Sequence, residues 1–357
     1  MSVAKKGSGR QYDGRIPVAV LGATGAVGQR FVSLLDHHPW FRVAALAASE
    51  RSAGKPYVEA ASWMLDTPIP DWARDMKVAP CRPGGEPRLA FSGLDSSVAG
   101  EIEEAFASAG VAVVSNSRNH RMGTDVPLLV PEVNAEHVEL IEDQRRRRRG
   151  AGFIVTNPNC STVGLVMACA PIHRRFGIRR LSVATLQAVS GAGYPGVPSA
   201  DILDNVLPYI GDEEEKMETE TLKIFGGLRE PAAIEVSAQC HRVHVTDGHT
   251  LAISMETHKA VTPEEATEVL RSFRSPLSGL GLPSLPEAPI VVRDEPDRPQ
   301  PRFDRMAGGG MVVSVGRVRR CPVLGLKMVA LVHNTIRGAA GVAILNAELL
   351  KARGLLE

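Results

Sequence analysis

The sequence has few of the features that mark membrane proteins or nucleic-acid-binding proteins. Aromatic residues make up only 4% of the 357 residues, too few for a protein that stacks bases or sugars on aromatic side chains. Lys and Arg number 41 against 40 Asp and Glu, so the chain lacks an overall positive field. No apolar run approaches the roughly 18 residues that span a membrane. We therefore expect no nucleic acid and no membrane among the partners.

The sequence also lacks the cysteine patterns of disulfide-rich and metal-binding proteins. Its five cysteines are scattered and odd in number, and none forms a CxxC pair. The first residues are polar and the apolar stretch after them is interrupted by glycines, which is not typical of a signal peptide. We interpret residues 1–14 as a disordered leader. These features favour a reducing cytoplasm, without a metal site.

The order of short apolar segments and glycine turns predicts an α/β protein. A length of 357 residues suggests two domains at roughly 150 residues each. In the first half, Val/Ala/Leu runs without alternation are typical of a parallel sheet that is covered on both faces, and helical stretches between them indicate βαβ units. The predicted strands are residues 16–21, 41–49, 88–92, 111–115 and 152–157.

After residue 160 the pattern changes to one helix and longer strands with more alternation. We predict the helix over residues 160–176 and another one opened by Thr262 and Glu265, which have the spacing of a capping box. Residues 275–305 are rich in Pro and Gly and indicate long loops. Arg145–Arg149 is interpreted as a solvated loop, with an anion-binding patch as the alternative. The predicted strands are residues 179–191, 233–243, 250–261, 311–320 and 325–334.

A glycine motif follows the first predicted strand and opens a helix. Its GxxGxxG spacing allows a sharp turn and a close approach of the backbone to a pyrophosphate, which would lie on the helix N-terminus. The alternative is a glycine turn without a ligand. The motif predicts a dinucleotide site formed by Gly22, Thr24, Gly25, Ala26, Val27 and Gly28.

The loop after the second predicted strand bears on the choice of cofactor. An acidic residue here usually binds the ribose hydroxyls of NAD, and Glu50 alone would favour NAD. Hydroxyl groups and cations instead accommodate the 2′-phosphate of NADP. The loop has four such residues, so we expect NADP, with a ligand-free polar loop as the alternative. They are Ser49, Arg51, Ser52 and Lys55.

One cysteine lies where a strand is predicted to lead into a helix. Cys160 follows Asn157-Pro-Asn, and a helix N-terminus favours the thiolate form of a cysteine. The same backbone N–H groups could bind the oxyanion that forms when sulfur attacks a carbonyl. The alternative is a small buried hydrophobic residue, which we adopt for the other four cysteines. Cys160 is thus the candidate nucleophile.

A second candidate for chemistry lies in the segment Arg242–His249. We expect a strand that ends at Asp247-Gly248 and therefore places His249 at a turn, where its side chain can enter a cleft. Histidine exchanges protons readily near neutral pH. The alternative, a structural histidine, is adopted for His241 and His244.

Together these motifs resemble the aspartate-semialdehyde dehydrogenase family, most closely its archaeal and fungal branch. The resemblance runs from about Val18 to the C-terminus. It is carried by GATGAVG, ASERSAGK, SNSRNHRM, VPEVN, NPNCST, QAVSGAG, EEEKMETETLKI, RVHVTDGH and NTIRGAAG. It implies a Rossmann-type dinucleotide-binding domain, residues 15–159, which the C-terminal helix in residues 334–357 completes. An α+β catalytic and dimerisation domain, residues 160–333, would be inserted between them.

The resemblance also implies roles for single residues in catalysis. Cys160 would be the nucleophile and His249 the acid/base. Gln187 would help to orient the acyl intermediate, and Asn159 would lie beside the nucleophile. Ser92 would contact the cofactor.

Further roles implied by the resemblance concern the ligands. Arg242 would bind the α-carboxylate of the substrate and Glu213 its amino group. Lys216 and Arg121 would bind phosphate. Asn334 would reach the amide of the nicotinamide.

The implied reaction is the NADPH-dependent reduction of L-aspartyl 4-phosphate to L-aspartate 4-semialdehyde with release of phosphate, which serves the synthesis of lysine, threonine, methionine and isoleucine. A homodimer or homotetramer is implied. The alternatives are a malonyl-CoA reductase, an N-acetyl-glutamyl-phosphate reductase or, from another class, a non-catalytic nucleotide-sensing protein. Malonyl-CoA has no α-amino group and a far larger leaving group than aspartyl phosphate. The presence of Glu213 and Lys216 therefore favours aspartyl phosphate as the substrate.

Overall fold

The computed structural model describes residues 14–356. Of the predicted leader, residues 1–14, all but Gly14 lies outside the described residues. Within residues 14–356, no helix is long and apolar enough to cross a membrane.

The first half of the chain forms the predicted parallel sheet. Its six strands lie in the order β3-β2-β1-β4-β5-β6, and every neighbouring pair is parallel. The order reverses between β1 and β4, and such a switch point is where open α/β sheets bind ligands, outside the carboxyl ends of the strands. The strands are β1 (Ile16–Leu21), β2 (Phe41–Ala48), β3 (Ala79–Pro80), β4 (Leu89–Ser92), β5 (Ala112–Ser115) and β6 (Phe153–Thr156).

Both faces of this sheet are covered, which explains the continuous apolar runs. Val18 and Val20 of β1 belong to one buried hydrophobic cluster, whereas Ala19 and Leu21 belong to another on the opposite face, because successive side chains of a strand point to opposite faces. The helices of this half are α1 (Ala26–Leu34), α2 (Tyr57–Ala60), α3 (Asp71–Arg74), α4 (Ser96–Ser108), α5 (Pro131–Asn134) and α6 (Leu140–Arg148).

The second half forms a mixed sheet with strand order β10-β11-β12-β9-β7-β8. Helices α7, α9 and α10 pack against it. Its elements are α7 (Cys160–Phe176), β7 (Ile178–Gln187), α8 (Ser199–Ile202), α9 (Glu213–Phe225), β8 (Glu235–Arg242), β9 (His249–Thr257), α10 (Pro263–Ser272), β10 (Ile290–Arg293), α11 (Pro301–Asp304), β11 (Val313–Cys321) and β12 (Gly325–Val332).

The last helix, α12 (Gly341–Ala352), returns to the first sheet, as expected. A π-helical turn, Ile336–Ala340, leads into it. Ile344, Leu345 and Leu349 are fully or almost fully buried in the same hydrophobic cluster as Val18 of β1. The two-domain architecture with an inserted second sheet is therefore confirmed.

Three sequence-based expectations about local structure are wrong. Residues 275–305 are not loop throughout, because the short β-branched run of β10 pairs with β11. The arginine run is not a loop but the end of α6, which closes at Arg149 in a left-handed conformation. The charges of Arg145 to Arg148 are matched by nearby carboxylates, for example Arg146 with Asp143 at 3.0 Å and Arg147 with Asp125 at 2.7 Å.

The third wrong expectation is the strand predicted to end at Asp247-Gly248. Strand β8 already ends at Arg242, and His249 is the first residue of β9, paired with Val332 of β12. Residues 243–248 form the connection, in which Gly248 has a φ of 104°. His249 is thus anchored in the sheet instead of lying at a turn.

Candidate active site

The glycine motif forms the predicted tight turn between β1 and α1. Gly22 has a φ of 73°, and a Cβ atom there would lie 2.7 Å from the carbonyl oxygen of Gly93. A Cβ atom at Gly28 would lie 2.1 Å from the carbonyl oxygen of Gly22. Gly25 precedes α1 and has no side chain to cap its N–H groups. The turn therefore fits a pyrophosphate that binds to these N–H groups.

A cleft of about 560 Å³ extends from this turn to the start of α7. It lies at the carboxyl edge of the first sheet, next to the switch point between β1 and β4. The cleft brings together predicted cofactor residues and predicted substrate residues, which are distant in sequence. The predicted residues that line it are Gly22, Thr24, Gly25, Ala26, Val27, Ser49, Arg121, Asn159, Cys160, Glu213, Lys216 and Asn334.

Other predicted cofactor residues lie away from this lining. Arg51 and Lys55 are exposed on the turn after β2, and Ser52 beside them is half-buried. Glu50 forms an ion pair with Arg82 at 3.0 Å, so the acidic group in this turn is partly neutralised. Ser92 does not reach the cleft, because it is buried and its hydroxyl donates to Glu103 at 2.6 Å.

The candidate nucleophile begins α7. Asn159 caps this helix by accepting a hydrogen bond from the N–H of Ser161 at 2.9 Å. The Cys160 sulfur lies 3.1 Å from Nε2 of His249. Gly338 packs so closely behind it that a Cβ atom there would lie 2.7 Å from Cβ of Cys160. The backbone thus fixes the sulfur beside the imidazole.

The protonation state of Cys160 differs from the expectation. Burial and, to a smaller extent, the Glu213 carboxylate raise the pKa of the Cys160 thiol to about 12. Arg242, Arg121 and the N–H of Ser161 oppose this shift but do not overcome it. The expected stabilisation of the thiolate by the helix N-terminus is therefore outweighed by loss of hydration, and the ligand-free protein holds a thiol.

His249 is fully buried and held from two sides. The backbone N–H of Ala188 donates to its Nδ1 at 3.0 Å, and Nε2 faces the Cys160 sulfur. Burial lowers the pKa of His249 to about 3, and the positive charge of Arg242 and the proximity of His333 act in the same direction. The imidazole is therefore neutral at physiological pH.

Polar groups around the sulfur form a connected cluster. The carboxylate of Glu213 accepts hydrogen bonds from Nδ2 of Asn159 at 2.9 and 2.8 Å and from Nε2 of Gln187 at 3.4 Å. Nζ of Lys216, one helical turn further along α9, lies 3.2 Å from the same carboxylate. The cluster contains a carboxylate and an ammonium group. It is therefore suited to a substrate that carries both a positive and a negative charge.

Two further predicted residues meet the turn after β7. Arg242 donates from Nη1 to the carbonyl oxygen of Ala188 at 2.8 Å. Asn334 accepts from the N–H of Gly248 at 2.9 Å and donates to the hydroxyl of Ser190 at 2.8 Å. A Cβ atom at Gly191 would lie 2.8 Å from Nη1 of Arg242. This turn therefore fixes both side chains, of which Asn334 lines the cleft.

Two family descriptions and curated relatives match most of this chain. The family descriptions "Semialdehyde dehydrogenase, NAD binding domain" and "Semialdehyde dehydrogenase, dimerisation domain" match residues 17–141 and 169–337. An aspartate-semialdehyde dehydrogenase from Archaeoglobus fulgidus is 51% identical over 94% of this chain and 98% of its own length. The chain belongs to the aspartate-semialdehyde dehydrogenase family. The predicted resemblance is thereby confirmed.

Solved structures of aspartate-semialdehyde dehydrogenases share the fold. The Candida albicans enzyme, solved with NADP, has a TM-score of 0.88 and 48% identity, covering 96% of this chain and 99% of that one. Enzyme II from Vibrio cholerae, complexed with ASA, has a TM-score of 0.76 and 29% identity, covering 94% and 98%. The higher identity to the archaeal and fungal proteins agrees with the predicted branch.

One residue of the site that sequence reasoning missed is Glu220. It is 2% exposed, and its two oxygens accept from different partners. Oε1 accepts from Nη1 of Arg121 at 2.8 Å, and Oε2 accepts from the backbone N–H of Asn159 at 2.7 Å. Glu220 therefore ties Arg121 to the start of α7. The sequence feature that could have identified Glu220 is its position seven residues after Glu213, on the same face of α9.

Lys223, one turn after Glu220, is a second missed residue. Its Nζ donates to the carbonyl oxygens of Arg121, Gly123 and Val126 at 2.7, 2.7 and 2.9 Å. Burial lowers the pKa of Lys223 to about 8. This ammonium group fixes the backbone of the loop from which Arg121 projects.

Proposed function

We propose that this chain catalyses the reversible, NADPH-dependent conversion of L-aspartyl 4-phosphate and a proton to L-aspartate 4-semialdehyde and phosphate. The observation that carries the proposal is the Cys160–His249 pair at 3.1 Å, of which Cys160 lines one cleft with Glu213, Lys216 and the glycine turn. This reaction needs a nucleophile, charged groups that bind an anionic amino acid, and a site for a dinucleotide.

The proposed chemistry at the substrate uses the sulfur as a nucleophile. The Cys160 sulfur attacks the acyl carbon, the bond to phosphate breaks, the thiol proton leaves on hydrogen phosphate and a thioester forms. NADPH, when bound, supplies the hydride that reduces the acyl group. His249, next to the sulfur, is the acid/base that returns or removes the proton, depending on the direction of the reaction, and Gln187 orients the acyl group. Asn159 holds the start of α7, where the backbone N–H groups face this oxygen.

The remaining charged residues bind the other groups of the substrate. Arg242 binds the α-carboxylate with two parallel hydrogen bonds. Glu213 binds the ammonium group, which explains an acidic side chain among cations. Lys216 and Arg121 bind phosphate. Arg121 has a buried Nε atom without a hydrogen-bond partner among the described residues, and this free donor suits an anion.

The cofactor is NADP, bound with its pyrophosphate at the glycine turn and its nicotinamide amide near Asn334. Ser49, Arg51, Ser52 and Lys55 bind the 2′-phosphate. Two features support this assignment: Arg51 and Lys55 are exposed at the carboxyl edge of β2, and Glu50 is paired with Arg82.

Arg51→Ala is expected to raise the Michaelis constant for NADP by roughly 10- to 100-fold, since a lost charge-assisted hydrogen bond costs about 1.5–3 kcal/mol. The constant for NAD should hardly change. Initial rates with both cofactors measure the effect, and Arg74→Ala on α3 provides a control at an exposed arginine of the same domain. An equal effect on both cofactors would contradict a role at the 2′ position.

Lys216→Met and Arg121→Lys are expected to act mainly on phosphate. In the oxidative direction, each should raise the Michaelis constant for phosphate about 10-fold or more, and that for the semialdehyde much less. Lys259→Met removes an exposed charge outside the cleft and is the control for Lys216. If both constants rise together, these residues do not form a phosphate site.

The alternative activity is reduction of a coenzyme A thioester such as malonyl-CoA. The polar contacts of Glu213 favour a substrate with an amino group, which malonyl-CoA lacks. Purified protein should therefore oxidise aspartate semialdehyde with NADP in a phosphate-dependent manner. Efficient reduction of malonyl-CoA together with no phosphate-dependent oxidation would overturn the proposal.

The finer organisation of the protein is also part of the proposal. We place the domain boundaries after residues 159 and 333. We also assign a cytoplasmic location, since five unpaired cysteines suit a reducing compartment.

The assembly is a homodimer or homotetramer. An open face of the second sheet, with Ser182, Leu186 and Ala252 exposed, is suited to pair with a second copy, and sedimentation at several concentrations tests this.

A further inference from the structure

One face of α9 continues from the cleft into the interior of the protein. Glu213, Lys216, Glu220 and Lys223 follow one another at intervals of three or four residues, the spacing that places side chains on one face of a helix. Glu213 and Lys216 line the cleft, whereas the side chain of Glu220 is almost completely buried. The proposed reaction uses the first two residues and assigns no role to the Glu220 carboxylate.

Glu220 contacts two segments of the site at once. Its Oε1 atom accepts a hydrogen bond from Nη1 of Arg121 at 2.8 Å. Its Oε2 atom accepts from the backbone N–H of Asn159 at 2.7 Å, and Asn159 directly precedes Cys160. A single carboxylate therefore joins the guanidinium group of a proposed phosphate ligand to the residue before the nucleophile.

We propose that Glu220 is a positioning residue that aligns the guanidinium group of Arg121 with the Cys160 sulfur, so that phosphate and the sulfur approach the same acyl carbon. The inference deepens the proposed function, because it rests on the assignment of Arg121 as a phosphate ligand. In the oxidative direction, an oxygen of hydrogen phosphate attacks the thioester carbon, the carbon–sulfur bond breaks, and the sulfur takes back a proton. Such a displacement depends on holding both reacting groups in a fixed geometry.

The other contacts of Arg121 support this role. Its Nη2 atom donates to the carbonyl oxygen of Asn116 at 2.7 Å, and Nζ of Lys223 donates to the carbonyl oxygen of Arg121 itself at 2.7 Å. The backbone and both ends of the guanidinium group are thus held, whereas the buried Nε–H has no hydrogen-bond partner among residues 14–356. An anion that binds this group costs little side-chain freedom, because the protein has already fixed its orientation.

The charge of Glu220 opposes the binding of an anion, and this separates two explanations. A carboxylate that is bonded to the guanidinium group partly neutralises it and repels phosphate. If Glu220 acted through its charge alone, its removal would strengthen phosphate binding. If Glu220 acts by positioning Arg121, its removal weakens phosphate binding, although the site becomes more positive. The two explanations therefore predict changes of opposite sign in the Michaelis constant for phosphate.

Glu220→Gln tests the sign of this change. The amide keeps the size of the side chain but offers one oxygen to two donors, so one of the two contacts is lost. We expect the Michaelis constant for phosphate in the oxidative direction to rise about 10-fold or more, and that for NADP to be nearly unchanged. Glu215→Gln, the same exchange at an exposed position of α9, is the control. An unchanged or lower constant for phosphate in the Glu220 variant would overturn the proposal.

Glu220→Asp separates geometry from charge. It retains the buried negative charge, so it disturbs folding least, but its shorter side chain cannot reach both donors. We expect the Michaelis constant for phosphate to rise in this variant as well, and a wild-type value would refute the positioning role. A purely structural role would lower the melting temperature and the fraction of active protein without changing this constant. Thermal unfolding and titration of active sites therefore accompany the kinetics.

A double variant shows whether Glu220 acts through Arg121. Residues that act in one network have effects that are not additive. The Michaelis constant for phosphate of Glu220→Gln combined with Arg121→Lys should therefore lie within about 3-fold of that of Arg121→Lys alone. If the two increases multiply instead, Glu220 does not act through Arg121 and the proposal is wrong.

Failure of this inference differs from failure of the proposed function. If the wild-type protein oxidises aspartate semialdehyde in a phosphate-dependent manner while both Glu220 variants keep the wild-type constant for phosphate, only the positioning role is refuted. If the wild-type protein shows no phosphate-dependent oxidation, the proposed function is refuted and this inference with it.

Discussion

Cys160→Ala is expected to abolish turnover, with a loss on the order of 10⁶-fold in kcat, the scale seen when a covalent nucleophile is removed. No other sulfur lines the cleft among residues 14–356, so no nearby group can replace it. Binding of NADP should be nearly unchanged, because the glycine turn is a separate part of the site. Steady-state assays and cofactor titration by fluorescence measure both quantities.

Cys160→Ser and Cys81→Ala complete this experiment. The serine variant should also be severely impaired, since its alkoxide forms far less readily than the thiolate and the buried site already raises the pKa of the thiol to about 12. Cys81→Ala, at a half-buried cysteine that contacts the carbonyl oxygen of Ala48, should remain active. Substantial turnover by Cys160→Ala would show that the nucleophile lies elsewhere.

Arg242→Lys is expected to lower kcat/KM for aspartate semialdehyde by about 100-fold, although the positive charge is kept. An arginine offers a carboxylate two parallel hydrogen bonds, whereas a lysine offers a point charge, and one lost charge-assisted bond costs about 1.5–3 kcal/mol. The variant also loses the bond from Nη1 to the carbonyl oxygen of Ala188. Arg242→Ala should be worse still.

The measurement compares the Michaelis constants for the semialdehyde and for NADP in each variant. The cofactor constant should stay within a few-fold of the wild-type value. Arg319→Lys on β11, an exposed position of the same sheet, controls for the general effect of exchanging an arginine. A lysine variant with wild-type kcat/KM would exclude bidentate binding of the carboxylate at this position.

The sequence predicted those features that depend on local pattern. Gly22 and Gly28 could be assigned because the required turn leaves no space for a side chain. Helix α7 could be predicted over its full length, since an apolar run follows the Asn159 cap. The parallel sheet followed from runs such as β1, whose residues are buried on both faces.

The features that could not be predicted depend on contacts between distant segments. The pKa of Cys160 is set by burial and by Glu213, which is far along the chain, and not by the helix N-terminus alone. The role of Glu220 depends on its hydrogen bonds with Arg121 and Asn159, which come from segments distant from α9 in the sequence. In the arginine run, the pairs of Arg147 with Asp125 and of Arg148 with Glu104 form only because these carboxylates fold next to α6.

The return of α12 to the first sheet has a consequence for synthesis of the protein on the ribosome. Ile344, Leu345 and Leu349 supply part of the core around β1, yet they are translated only after the whole second sheet. The dinucleotide-binding half therefore cannot complete its core as it emerges, although it is made first. The inserted second sheet ends at Val332 and can fold earlier, so nascent chains must keep an unfinished nucleotide domain protected until α12 has emerged.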